Sequence, residues 1–181
     1  MKKLILVCMV CLIGGTVSAQ GLDLGLKVGA NFATISDATG GSSKTGFVVG
    51  AFAGAKLGDK MGIQADLLYS QQGAAFKPGD IDLSYVNIPV VLKYFVTESI
   101  HIHAGPQFGF IIDDNIKSDI IEAETFDLAG VAGLGLDLPL GIRADARYNF
   151  GLTDIFKSSD ANVKAPGKNA VFTISVGYSF L

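Results

Sequence analysis

The sequence predicts an all-β chain, an eight-stranded antiparallel up-and-down transmembrane β-barrel, and three observations carry that expectation. Eight segments alternate apolar and polar residues with period two, which places successive side chains on opposite faces of a strand. The connections between them run long, short, long, short, long, short, long. The chain is 49% hydrophobic, yet after its first twenty residues it has no window of 18 consecutive apolar residues. A helical membrane protein is therefore excluded, and the hydrophobicity resides in alternation.

The first segment, LDLGLKVGANF, sets Leu22, Leu24, Leu26, Val28, Ala30 and Phe32 against Asp23, Gly25, Lys27, Gly29 and Asn31. GFVVGAFAGAK sets Phe47, Val49, Ala51, Ala53 and Ala55 against Val48, Gly50, Phe52, Gly54 and Lys56. MGIQADLLYSQQ follows, with Ile63, Ala65, Leu67 and Tyr69 against Gln64, Asp66, Leu68 and Ser70. In YVNIPVVLKYF, Val86, Ile88, Val90, Leu92 and Tyr94 oppose Asn87, Pro89, Val91 and Lys93. In IHIHAGPQFGF, Ile100, Ile102, Ala104, Phe108 and Phe110 oppose His101, His103, Gly105, Gln107 and Gly109. The sixth, FDLAGVAGLGLDL, alternates less cleanly, with Phe126, Leu128, Leu134, Leu136 and Leu138 against Asp127, Gly133, Gly135 and Asp137. RADARYNFGL, the seventh, sets Ala144, Ala146, Tyr148 and Phe150 against Arg143, Asp145, Arg147 and Asn149. AVFTISVGYSFL, the last, sets Phe172, Ile174, Val176, Tyr178 and Phe180 against Thr173, Ser175, Gly177 and Ser179.

About ten residues is the length a tilted strand needs to cross a bilayer, and an even number of strands closes a meander with both ends on one side. Residues 33–45, 71–82, 112–124 and 153–169 are long, polar and turn-rich; LGDK at 57–60, TES at 97–99 and LPLG at 138–141 are tight. Extended external loops alternating with brief periplasmic turns give this rhythm. A soluble lipocalin-like barrel would turn the apolar face inward. Against it stand a polar face rich in Gly, suited to a narrow interior, and aromatics near strand ends (Phe32, Tyr69, Tyr94, Phe110, Tyr148, Phe150, Tyr178, Phe180). The apolar face is expected to meet lipid and the charged face to line the lumen.

Lys2 and Lys3, an apolar run from Leu4 to Ile13 and the small residues before Gln20 read as a signal peptide over residues 1–19, leaving residues 20–181 as the barrel domain. Cys8 and Cys11 lie inside the leader, neither preceded by the small residues of a lipoprotein signal. With them gone, disulfide, thiol and Cys-ligated metal chemistry are excluded. Loss of Lys2 and Lys3 takes the formal charge from −3 to −5, the wrong sign for nucleic acid. About 160 remaining residues without a linker make one domain.

The stretches LKVGANFATIS, GFVVGAFAGAKL, QADLLYSQQGA, VNIPVVLKYFV, HAGPQFGF, DARYNFGLTDI and FTISVGYSF together resemble the outer-membrane β-barrel family of the Bacteroidetes, often labelled PorT-like. The resemblance implies a barrel in the cell outer membrane, surrounded by lipid and lipopolysaccharide. The namesake is linked to assembly of a secretion system, and a role in envelope or secretion-system assembly is implied by that resemblance alone. The last strand also resembles a barrel-assembly signal through Thr173, Tyr178 and Phe180, implying the barrel-assembly machinery as a partner. Ser175 stands where that pattern prefers Gly, and Leu181 follows the usual terminal aromatic.

On the lumen face Lys27, Lys56, Lys93, Arg143 and Arg147 balance Asp23, Asp66, Asp127, Asp137 and Asp145. An eight-stranded interior is only wide enough for side chains, so these charges are expected to pair. Lys27, Asp66, Lys93, Asp127, Asp137, Arg143, Asp145 and Arg147 are the expected structural network, closing the lumen. The alternative, a small porin-like channel, would call for a wider bore or a ring of one sign. His101 and His103 share a face, but no third metal ligand is placed nearby. Ser70 and Ser175 are candidate nucleophiles for an outer-membrane lipid-modifying enzyme without a spacing that singles them out. The third external loop carries Asp113, Asp114, Asp119, Glu122 and Glu124 against Lys117, without the pattern of a calcium-binding loop. The reading is of a non-enzymatic barrel with no cofactor and no metal. It acts structurally or as an interaction scaffold, meeting an extracellular or envelope protein through four external loops.

Overall fold

The computed structural model describes residues 21–36, 42–75, 81–114, 121–123, 126–153, 156–158 and 168–181. The expected signal peptide, residues 1–19, lies outside the described residues, as do Lys117, Asp119 and Glu124.

Eight long strands form one closed barrel: β1 (Leu22–Ser36), β2 (Ser42–Lys56), β3 (Met61–Ala75), β4 (Ile81–Phe95), β5 (Ile100–Asp114), β7 (Phe126–Asp137), β8 (Ile142–Gly151) and β10 (Lys168–Ser179). Their order around the ring is β1-β10-β8-β7-β5-β4-β3-β2. Every pairing is antiparallel, and β1 closes on β10 with Val28 opposite Val176. The fold class read from the sequence is the fold observed. Among the described residues no helix is long and apolar enough to cross a membrane; the crossing is made by strands.

The period-two pattern sorts the side chains as expected. In β3 the alternation is unbroken from Met61 to Ser70, odd residues exposed and even residues buried. Leu26, Val28, Leu67 and Leu134 stand outward, each more than half exposed, an arrangement stable only against lipid. Outward aromatics pair near the external strand ends, Phe32 with Phe172 at 6.4 Å, Phe47 with Tyr69 at 5.7 Å and Phe110 with Phe126 at 5.6 Å between ring centroids. At the opposite end Tyr178 and Phe180 pack edge to face at 5.6 Å. These are the two girdles that anchor a barrel at its interfaces.

The first five strands each have 15 residues, longer than the ten or so expected. At about 3.4 Å per residue they overshoot the hydrocarbon layer even when tilted. Ladder pairing simply continues into the polar flanks that sequence composition marks as loop. Asp113 and Asp114 accordingly belong to β5. A second departure is a small sheet formed by β6 (Ile121–Ala123) and β9 (Phe156–Ser158), joining the third and fourth external connections, with Glu122 at the position opposite Lys157. The three short turns close alike: Leu57 N–H donates to Met61 O, Val96 to Ile100 O and Leu138 to Ile142 O, each at 2.8 Å. Gly58 and Gly141 take φ of 123° and 80° there, the region where glycine is favoured.

Candidate functional site

Inward-facing residues of β1, β3 and β8 meet in the middle of the lumen. Lys27 Nζ lies 3.1 Å from Asp66 Oδ2 and 2.9 Å from Asp145 Oδ2. Arg147 reaches the same two carboxylates, Nη1 to Asp66 Oδ2 at 3.0 Å and Nε to Asp145 Oδ1 at 2.9 Å. Two cations and two anions thus form a closed ring of four contacts. The Gln64 amide donates to the remaining Asp66 oxygen at 2.6 Å. All four charged side chains are nearly sealed from solvent, so each depends on the others for the hydration it has lost.

Glycine makes the crossing possible. Lys27 lies opposite Gly50 on one side and Gly177 on the other, and no side chain from either neighbour obstructs its reach across the bore. The Phe52 ring fills the space over Gly25, where an added Cβ would come within 2.5 Å of it, and Lys27 Nζ sits 5.3 Å from that ring's centre. His103 and His101 fold over Gly133 and Gly135, their register partners on β7. Gly25, Gly133 and Gly135 are thus sockets for their neighbours' large side chains.

Toward the periplasmic mouth, Arg143 grips Asp23 through Nε at 3.2 Å and Nη2 at 3.3 Å, with Asp137 Oδ1 3.5 Å from Nε. His101 Nδ1 is 3.7 Å from Asp137 Oδ1. The buried Lys93 makes no hydrogen bond or ion pair among the described residues. Toward the outer end the contacts become uncharged. Asn31 Nδ2 donates to Ser70 Oγ at 2.7 Å, Gln72 Nε2 donates to the same oxygen at 2.7 Å, and Thr173 Oγ1 donates to Asn31 Oδ1 at 2.8 Å. Among the described residues, two cavities of about 10 Å³ each lie between these layers, room for roughly one water apiece.

Of the eight residues expected to interlock, Lys27, Asp66, Asp145 and Arg147 form one cluster, and Arg143 with Asp137 a second that adds Asp23. Asp127 and Lys93 join neither. Asp127 sits near the external end of β7, six residues above Gly133, the register partner of Arg147, which is about 20 Å along a strand. Its Oδ1 accepts instead from Thr153 Oγ1 at 2.9 Å, and that hydroxyl accepts from Leu128 N–H. Lys93 lines the mouth of the barrel in the same hollow as Asp23 and Asp137, without an ion pair to either. Thr173 faces the lumen, while Tyr178 and Phe180 face outward. Ser70 is engaged by Asn31 and Gln72, and among the described residues no hydrogen bond links Ser70 or Ser175 to either histidine. Nor do the described residues contain a group of three or more His, Cys, Asp or Glu able to hold a metal. Asn31 and Gln64, on the polar face by alternation, and Gln72, which shares that parity, add contacts that composition alone does not single out.

A closed antiparallel ring with an aromatic-girdled apolar exterior and paired charges inside defines a membrane-spanning β-barrel. The chain belongs to the outer membrane protein beta-barrel domain family, which it matches over residues 5–180. It is a small protein of the outer membrane. Among solved structures it is similar to Neisserial surface protein A, with a TM-score of 0.59 and 15% identity over 88% of this chain and 99% of that one. It is similar too to Ail, the attachment invasion locus protein of Yersinia pestis, at a TM-score of 0.54 and 15% identity, again over 88% and 99%. Ail has also been solved with the heparin analogue sucrose octasulfate. No curated protein matches the sequence.

Proposed function

We propose that this protein works from its outer face: a barrel with a closed polar lumen that serves as a structural element or interaction scaffold, through the four external connections. One observation carries the reading. The ring of Lys27, Asp66, Asp145 and Arg147 ties β1, β3 and β8 together across the bore, and the cavities beside it hold about one water each. A lumen so filled offers solutes no path, which leaves the external connections as the working surface. The reading is non-enzymatic.

Lipid and lipopolysaccharide contact the apolar band. The barrel-assembly machinery recognises the last strand through Thr173, Tyr178 and Phe180, after removal of residues 1–19 as a signal peptide. An extracellular or envelope protein binds the loops; the likeness to PorT-like barrels of Bacteroidetes supports envelope or secretion-system assembly by analogy.

Planar bilayers test the closed lumen. Purified protein should show little or no steady conductance at 1 M KCl (roughly the usual recording salt, where the Debye length is about 3 Å). A robust, ion-selective current from the unaltered chain would replace this reading with the small porin-like channel.

A further inference from the structure

We propose that the periplasmic mouth of the barrel binds a small oxyanion, a carboxylate or a phosphate, clamped between Lys56 and Lys93. Register sets Lys56 of β2, Gly62 of β3 and Lys93 of β4 in one row across three adjacent strands. At about 4.8 Å per strand the two lysine backbones are about 10 Å apart, and the residue between them has no side chain. The Phe95 ring stands over that glycine, within 3.4 Å of where its Cβ would be, so the two like charges flank an aromatic floor.

Neither lysine, Lys93 buried and Lys56 exposed, has an ion pair among the described residues. Lys93 is 8% exposed and lacks any hydrogen bond or ion pair among the described residues. Lys56 Nζ rests 5.1 Å from the centre of the Phe95 ring, with no carboxylate within ion-pair distance among the same residues. Every other inward-facing cation described, Lys27, Arg143 and Arg147, meets two carboxylates each. The carboxylates at this end are otherwise engaged: Asp23 by Arg143, and Asp137 between Arg143 and His101. Glu98, at the rim, is exposed on a turn. A buried ammonium without a partner is costly in a barrel interior, and an oxyanion received from the periplasm supplies what the chain does not.

The space suits such a guest. Both lysines line a hollow of about 310 Å³ that also takes in Arg143, Asp23, Asp137 and Glu98, with the buried Phe95 ring as its inward apolar wall. It adjoins a wider basin of about 990 Å³ between the three short turns, so the entrance is on the periplasmic side. The volume accepts a free acid or the head of a larger molecule, with its carbon chain against the apolar wall.

The test uses the full mature chain, ¹⁵N-labelled at lysine, in detergent micelles, with the lysine ammonium resonances followed during titration. The probes are inorganic phosphate, acetate and dihexanoyl phosphatidic acid below its micelle concentration. Saturable shifts confined to the signals lost in Lys56→Gln and Lys93→Met are expected. Each variant should weaken binding about tenfold, the loss typical of one charge-assisted contact, while Lys60→Gln on the neighbouring turn leaves it unchanged. Response to phosphate or acetate supports a free oxyanion; response to the lipid form alone supports a tethered headgroup. Both unaltered lysines failing to respond to any probe would overturn the proposal, even if a variant does not fold. So would equal affinity in the well-folded Lys93→Met protein.

Discussion

Replacing Arg147 with Met removes one cation from a sealed ring and leaves the rest of the barrel wall as it is. Arg147 contributes two of the ring's four contacts, at 3.0 Å to Asp66 and 2.9 Å to Asp145. After its loss Lys27 alone faces two carboxylates, and Asp145 Oδ1 has given up its only hydrogen-bond donor among the described residues. One negative charge is left uncompensated among side chains nearly sealed from solvent, which costs about 3–5 kcal/mol. Adding Asp66→Asn restores neutrality, because Lys27 keeps its 2.9 Å contact with Asp145. The double variant should therefore be more stable than the sum of the two single losses implies, by about 1–3 kcal/mol for groups in one ion-pair network. Urea titration in lipid vesicles reads both numbers, the folded fraction being scored by the gel-mobility difference between boiled and unboiled samples. A single-variant cost below about 1 kcal/mol would put the ring in contact with water. Strict additivity would show that its members do not act together.

Other perturbations probe the rest of the assignment. Ala146→Arg, opposite Leu134 and Ile174 on the outward face, should cost about 2–4 kcal/mol in the same titration; a neutral result would reverse the two faces. Thr153→Val withdraws the hydroxyl that donates to the buried Asp127 at 2.9 Å and should cost about 1–3 kcal/mol, as for a buried acceptor left unmet. An unchanged midpoint would mean that water reaches Asp127. Deleting residues 159–167, between β9 and β10, should preserve membrane insertion and heat-modifiable migration while abolishing binding of any external partner that uses this connection. A chain that no longer inserts would assign the segment to the barrel's structure instead.

The barrel was legible because period two and loop rhythm are local signals. Alternation at 61–70 or 143–150 fixes the inward residues without any knowledge of the neighbouring strands. The pairing of charges is not local. Lys27 and Asp145 are 118 residues apart and their strands are not adjacent, since β10 lies between β1 and β8. Only the height of each side chain along the bore decides who meets whom, and height depends on strand stagger. That is why Asp127, counted with the other acids by parity, ends beside Thr153, and why Lys93 is left without an ion pair among the described residues. The β6–β9 sheet was hidden for a related reason: three-residue strands have no readable period, and the two segments join separate connections.

The same distances in sequence bear on how the barrel is assembled. Arg147 and Asp66 are 81 residues apart and Lys27 and Asp145 still farther, so the ring stays incomplete until β8 is in place. A one-residue slip of β8 against its neighbours would swing Arg147 and Asp145 into hydrocarbon and bring Ala146 inward. The ionic ring thus forms only when distant strands are correctly aligned. A misthreaded chain lacks these contacts and is easier to unfold.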